Sequence, residues 1–161
     1  MREMDVLGVR VSIPENEVVV VLAARGGSVV LPIVIGPREG ASIATAQAGI
    51  VPERPQTHDL MITLFTATGL TLTEVRVTRL EAGTFHAELV LSSGQRLDAR
   101  PSDAIALALR AHCPVLCEDT VLNVAGVIME KEQEEHEEDS GEVVQEFREF
   151  LETVEPEDFE R

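Results

Sequence analysis

Apolar and β-branched residues fall into short runs along the first 129 residues, and turn-forming residues separate these runs. Seven runs have the length and composition of strands. They cover residues 4–13, 17–24, 29–35, 70–80, 84–92, 95–99 and 115–117. Four other segments have helical character and begin beside a proline or a capping side chain. They cover residues 38–48, 58–68, 103–111 and 120–125. Thr57 and Ser102 are the caps expected for the second and third helices.

The order βββαα-βββα-βα predicts an α+β fold, because hairpins dominate and no regular βαβ repeat is present. We expect a mixed, mainly antiparallel sheet of about seven strands with helices packed on it. Residues 104–109 are apolar on every face, which is typical of a fully buried helix. The first helix carries Ala41, Ala44, Thr45 and Ala48, and we expect this small-residue face to pack against the sheet.

The pattern changes after Met129. Residues 130–141 contain no apolar side chain, and such dense like charge favours an extended, solvated linker. Apolar residues then recur at helical intervals between Val143 and Val154, which predicts an amphipathic C-terminal helix in residues 142–161. The expected organisation is therefore a folded domain over residues 1–129, an acidic linker and an acidic helix.

Charge is distributed unevenly between these parts. The chain has 13 basic and 29 acidic residues, a net charge of −16, of which 10 Arg and 14 acidic residues, net −4, lie in residues 1–129. This balance argues against binding nucleic acid or an anionic membrane by bulk electrostatic attraction, so any contact with nucleic acid must be local. No apolar run approaches the roughly 20 residues that span a bilayer, and the N-terminus begins with a strand-like segment. We expect a cytoplasmic protein without membrane contact, and free thiols at Cys113 and Cys117.

Three segments at the start of predicted helices share an unusual composition. Residues 36–39, 54–59 and 100–103 each combine an arginine, a proline and an acidic residue. Helix capping alone can explain them, because acidic side chains in a first turn interact favourably with the helix dipole. The alternative is one shared site, in which the side chains of Glu39, His58, Arg100 and Asp103 meet at a single pocket.

Four motifs in this sequence also resemble a known family. They are Leu31-Pro32-Ile33-Val34-Ile35-Gly36 with Glu39, Arg54-Pro55-Gln56-Thr57-His58-Asp59-Leu60, Gly83-Thr84-Phe85-His86-Ala87 and the segment 98–108. In this order, over residues 4–128, they closely resemble the bifunctional nuclease domain family. The end of the chain is similar to the stand-alone actinobacterial type, through Phe147, Phe150, Leu151, Pro156, Asp158 and Phe159. The resemblance implies an α+β domain that forms homodimers and a nuclease activity on DNA and RNA.

Phosphodiester hydrolysis needs a nucleophilic water, charge neutralisation at the phosphate and help for the leaving oxygen, which carboxylates, a divalent metal and an arginine clamp can supply. The candidate catalytic residues are Glu39, His58, Asp59, His86 and Asp103. The candidate substrate-binding residues are Arg38, Arg54, Thr57, Arg100 and Ser102. Glu39, His58 and Asp103 are the candidate ligands for Mg²⁺ or Mn²⁺.

Adjacent residues point about 100° apart on a helix, so only one of His58 and Asp59 is expected to face a shared site. We expect His58 to face inward as a general base or ligand and Asp59 to cap the helix. His86 is a second candidate acid or base, or else an exposed strand residue. The function expected is a nuclease acting on DNA or RNA. The alternatives are a dimeric, non-catalytic regulatory module that binds a small anion, and a protein-binding module that acts through the acidic tail.

Overall fold

The computed structural model of the chain describes residues 1–12 and 14–129. The strands are β1 Arg2–Ser12, β2 Glu17–Ala24, β3 Val29–Ile35, β4 Leu72–Glu81, β5 Thr84–Leu91, β6 Arg96–Ala99, β7 Val115–Cys117 and β8 Val127–Ile128. The helices are α1 Pro37–Gln47, α2 Thr57–Ala67, α3 Pro101–Ala111 and α4 Asp119–Ala125. The predicted linker 130–141 and C-terminal helix 142–161 lie outside the described residues.

All eight strands of the described region form one sheet in the order β6-β5-β4-β7-β1-β2-β3-β8. Strands β4 and β7 are parallel, and the other neighbouring strands are antiparallel. The predicted α+β class and mainly antiparallel sheet are confirmed. About seven strands are expected from the sequence, and the eighth, β8, has only two residues and pairs with Val29 and Val30 at the edge of the sheet.

Helix α3 is the centre of the helical layer. It contacts α1, α2, β4 and β5, and residues 104–108 are almost completely buried, as the uniformly apolar sequence predicts. Helix α1 lies on one side of α3 and contacts β1 and β2, whereas α2 lies on α3 and has no fully buried residue. The position of α3 between α1 and α2 brings side chains from all three helices together.

The buried side of α1 differs from the small-residue face that was expected to pack against the sheet. Ala41, Ala44 and Ala48 are exposed, while the buried positions of the helix are Gly40, Ser42 and Ile43. A Cβ atom at Gly40 would lie only 2.7 Å from Cγ1 of Val18, so glycine allows this close approach. The correct contact face therefore contains a serine, which the alanine pattern did not reveal.

The end of β3 and the turn between β4 and β5 both lie near the start of α3. Residues of β3, the turn between β4 and β5, and Arg100–Ser102 line one cavity of about 290 Å³, although β3 and β5 are separated by four strands in the sheet. The start of α3 therefore lies next to the end of β3, after which α1 begins.

Two details of the helix starts correct the sequence analysis. The N-cap residues of α2 and α3 are Gln56 and Arg100, not Thr57 and Ser102, and both helices begin one or two residues earlier than predicted.

Cys113 and Cys117 are free, and burial raises the pKa of their thiols to about 11 and about 12. None of the helices between residues 1 and 129 is long and apolar enough to cross a lipid bilayer.

Candidate functional site

The first turns of α1, α2 and α3 open on a common cleft of about 600 Å³. Its polar lining includes Arg38, Glu39, His58, Arg100 and Asp103. The last four of these are the residues expected from the sequence to meet at one pocket, and the structure brings them together. Residues at the starts of all three helices contribute to this lining, and the partial positive charge of a helix N-terminus favours a negatively charged group nearby.

His58 lines the cleft, and both of its ring nitrogens have a hydrogen-bond partner. Its Nε2 lies 3.0 Å from Oδ1 of Asp103, and its Nδ1 lies 2.8 Å from Oγ of Ser42. The His58 side chain is only 12% exposed, so these two contacts fix the orientation of the ring. The three side chains form a continuous Ser42–His58–Asp103 hydrogen-bonded array.

Asp103 is also bound by Arg100. Nε of Arg100 donates to Oδ2 over 2.7 Å, and Nη2 donates to Oδ1 over 3.1 Å, a bidentate pairing. Burial raises the pKa of the Asp103 carboxyl, but the hydrogen bonds from Arg100 and His58 outweigh it and hold that pKa below its ordinary value. Asp103 is therefore ionised at neutral pH and acts only as an acceptor.

Arg100 also connects α3 to α1. Its Nη1 lies 3.1 Å from Oε1 of Glu39, and the pairings with Asp103 and Glu39 raise the pKa of the guanidinium. The Glu39 carboxylate folds back over the backbone of Gly36, where a Cβ atom would collide with Oε2. Glycine at this position thus leaves room for the carboxylate that holds Arg100 over the cleft.

Asp59 does not face the cleft that its neighbour His58 lines. Nε of Arg110 donates to Oδ1 of Asp59 over 2.6 Å, and the backbone N–H of Gln56 donates to Oδ2 over 2.8 Å. The hydrogen bond from Arg110 lowers the pKa of the Asp59 carboxyl. Asp59 lines a second cavity of about 560 Å³ with Arg110, so the structure assigns it to capping and ion pairing, outside the cleft of His58.

The other predicted site residues divide between the cleft and its surroundings. Thr57 and Arg38 line the cleft, and Ser102 lines the neighbouring cavity that Arg100 shares. Arg54 is exposed in the loop between α1 and α2 and is not part of the cleft lining. His86 pairs with β4, where its Nδ1 lies 3.2 Å from Nη2 of Arg79, so the structure does not bring it to His58.

The predicted metal ligands do not have the arrangement of a metal site. Both carboxylates, Glu39 and Asp103, are paired with the guanidinium of Arg100, and both ring nitrogens of His58 are engaged. Within residues 1–12 and 14–129, no three His, Cys, Asp or Glu side chains are grouped as a metal ion requires. The cation that neutralises these carboxylates is Arg100.

Two residues of this region were missed by the sequence analysis. Ser42 follows Glu39 by three positions, so the two share a face of α1, and this spacing could have identified it. Arg110 is on the last turn of α3, 51 positions from Asp59, and is only 9% exposed. No local pattern connects Arg110 with Asp59, so only the packing of α2 on α3 reveals their pairing.

These features define an α+β domain with a polar cleft that combines a Ser–His–Asp array, an arginine and three helix N-termini. The chain belongs to the bifunctional nuclease domain family, whose sequence profile matches residues 20–130. It is 43% identical to two uncharacterized Mycobacterium tuberculosis proteins, Rv1829 and MT1877, over 99% of this chain and 98% of each relative. The family assigned from the sequence motifs is confirmed.

Proposed function

We propose that the chain hydrolyses phosphodiester bonds of DNA or RNA in the cleft at the start of α1, α2 and α3. The observation that carries this proposal is the position of His58, which lies between Asp103 and Ser42 beside the guanidinium of Arg100. The description of the family as a bifunctional nuclease domain supports the same class of reaction.

Substrate binding in this proposal is local. Arg38 and Arg100 line the cleft, and Arg100 is 64% exposed despite its two ion pairs, so part of its guanidinium faces solvent. Arginine binds phosphate oxygens through several parallel N–H donors, and the helix N-termini add partial positive charge. A phosphate can therefore be held here although the whole chain has a net charge of −16.

His58 supplies the acid–base chemistry. Asp103 is an ionised acceptor, so Nε2 of His58 carries a proton and Nδ1 is the basic nitrogen of the neutral ring. The carboxylate stabilises the imidazolium that forms when Nδ1 takes up a proton. A positioned general acid or base contributes about 100- to 10,000-fold to a rate.

The same cleft supports a second candidate function, a non-catalytic module that binds a small anionic ligand. The observation that favours it is the convergence of three helix N-termini with Arg38 and Arg100, which by itself needs no chemistry at His58. Only the first candidate function breaks a phosphodiester bond, so a cleavage assay separates the two.

The test compares wild-type protein with His58→Gln and His86→Gln, purified identically, on labelled single-stranded DNA and RNA. We expect cleavage by the wild type, a loss of roughly 100-fold or more in His58→Gln, and wild-type rates in His86→Gln. Each assay is run with Mg²⁺, with Mn²⁺ and with EDTA, since assistance by a divalent metal stays a prediction. Equal cleavage by all three proteins would indicate a contaminating nuclease, and ligand binding without cleavage would favour the anion-binding module.

A further inference from the structure

His58 has one basic nitrogen, and that nitrogen faces a hydroxyl group. The ionised Asp103 accepts a hydrogen bond from Nε2–H, so Nδ1 of the neutral ring is an acceptor and Oγ–H of Ser42 donates to it over 2.8 Å. A water molecule could approach Nδ1 only by displacing Ser42. The group placed to lose its proton to His58 is therefore the Ser42 hydroxyl.

We propose that Ser42 is the nucleophile of the reaction and that phosphodiester cleavage passes through a covalent phosphoserine at this residue. This inference rests on the proposed function and deepens it, since it names the attacking atom. A serine hydroxyl is a weak nucleophile unless a base is adjacent, and a base oriented by a carboxylate is the usual means of activation.

The position of Ser42 suits this role. The residue is 9% exposed and lines the cleft, so a substrate can reach it while bulk water is largely excluded. Its backbone carbonyl accepts a hydrogen bond from Nη1 of Arg110 over 3.3 Å, which fixes this turn of α1 against α3. Arg100, paired with Glu39 and Asp103, provides positive charge at the same cleft.

The proposed reaction has two balanced steps. Ser42 Oγ gives its proton to Nδ1 of His58 and attacks phosphorus, the bond from phosphorus to the leaving oxygen breaks, and that oxygen takes the proton from Nδ1. Water then attacks the phosphoserine and gives a proton to Nδ1, the bond between phosphorus and Oγ breaks, and Oγ recovers the proton. One water is consumed, no oxidant or reductant is needed, and Asp103 stays ionised throughout.

A different role for Ser42 has different consequences. If Ser42 only holds the ring of His58 in place, its removal should slow cleavage by about 10- to 100-fold and no covalent adduct should form on it. If Ser42 is the nucleophile, its removal should slow cleavage by roughly 1,000-fold or more. An activated serine should also react with an organophosphorus reagent, a property that does not depend on which nucleic acid is cleaved.

The experiment treats the full-length chain with a fluorophosphonate and locates the adduct by peptide mass spectrometry. The variants are Ser42→Ala, His58→Gln and, as the matched control, Ser28→Ala, which removes an exposed serine outside the cleft. We expect the adduct on Ser42 in the wild type and in Ser28→Ala, and at least tenfold less labelling of Ser42 in His58→Gln. Circular dichroism checks that each variant is folded.

The outcomes separate this inference from the proposed function. An adduct on Ser42 that depends on His58 supports an activated serine even if no nucleic acid is cleaved, in which case the proposed substrate class is wrong. A folded wild type without label on Ser42 overturns the inference. Cleavage by Ser42→Ala within about 100-fold of the wild-type rate also overturns it and leaves the proposed nuclease function standing.

Discussion

His58 and Asp59 are adjacent on α2 and bind partners at two different sites. His58 contacts Ser42 and Asp103 in the cleft, whereas Asp59 is bound by Arg110 and by the backbone N–H of Gln56. Successive side chains on a helix diverge by about 100°, so a single turn of α2 serves both sites. His58 thus belongs to the cleft, and Asp59 pairs α2 with α3 through Arg110.

The ion pair of Asp59 predicts how stability depends on pH. Because the folded protein lowers the pKa of this carboxyl, the unfolded chain binds more protons in acid, and the stabilisation is present above about pH 3.9 and lost as pH falls through the folded pKa. We expect Asp59→Asn to lower the free energy of unfolding at pH 7 by about 1–2 kcal/mol and to make the decline in acid shallower. Urea unfolding at pH 7, 4 and 3 measures both effects.

The control for this prediction is Asp98→Asn, which changes an exposed aspartate on β6. It should match the wild type at every pH. An Asp59→Asn profile parallel to that of the wild type would show that the pair with Arg110 does not couple proton binding to folding.

Two leucines on α2 predict a subunit interface. Leu60 and Leu64 lie one helical turn apart and are more than half exposed, at 59% and 58%. We propose that this face is buried in the homodimer that the family resemblance implies. Leu64→Glu should then shift the chain toward the monomer in sedimentation velocity runs, whereas Val11→Glu, at an exposed valine on β1, should not. A dimer with unchanged affinity in Leu64→Glu would place the interface elsewhere.

The acidic C-terminal segment predicts an effect of salt on nucleic-acid binding. Removal of residues 130–161, which carry 3 basic and 15 acidic residues, changes the net charge from −16 to −4. Repulsion of a phosphate backbone should therefore decrease, most clearly near 0.01 M salt, where the Debye length is about 30 Å. We expect the truncated protein to bind single strands more tightly than the full-length protein. This difference in affinity should decrease as the salt concentration rises. Weaker binding after truncation would show that the segment contributes to the site or to the dimer.

The main elements of the fold could be predicted because their signals are local. Turn residues and apolar runs locate β1 to β7, and the uniformly apolar residues 104–108 identify α3 as the buried helix. The two-residue strand β8 has no such signal, since its pairing with β3 depends on the path of the whole sheet. The predicted caps at Thr57 and Ser102 were wrong. Thr57 is already the first helical residue of α2, so the N-cap is Gln56. Pro101 is the first helical residue of α3, so the N-cap is Arg100.

The candidate site was predicted in part for the same reason. Polar residues at the start of apolar helices are visible in the sequence. The composition of the first residues of three helices therefore predicted that Glu39, His58, Arg100 and Asp103 share a site. Ser42 is inside α1, where it resembles an ordinary small helical residue, and the exposed alanines beside it suggested another packing face. Its hydrogen bond to His58 is set by the packing of α1 and α2 around α3.

The most direct test of the account is a comparison of two aspartate variants, with cleavage of single-stranded DNA and RNA and the free energy of unfolding measured on the same preparations. Asp103 accepts a hydrogen bond from Nε2 of His58 and orients the ring, so Asp103→Asn should reduce cleavage by roughly 100-fold or more and leave the chain folded. Asp59→Asn should reduce stability but keep cleavage within about tenfold of the wild type. Cleavage that survives in Asp103→Asn and is lost in a folded Asp59→Asn would contradict the assignment of the cleft as the active site.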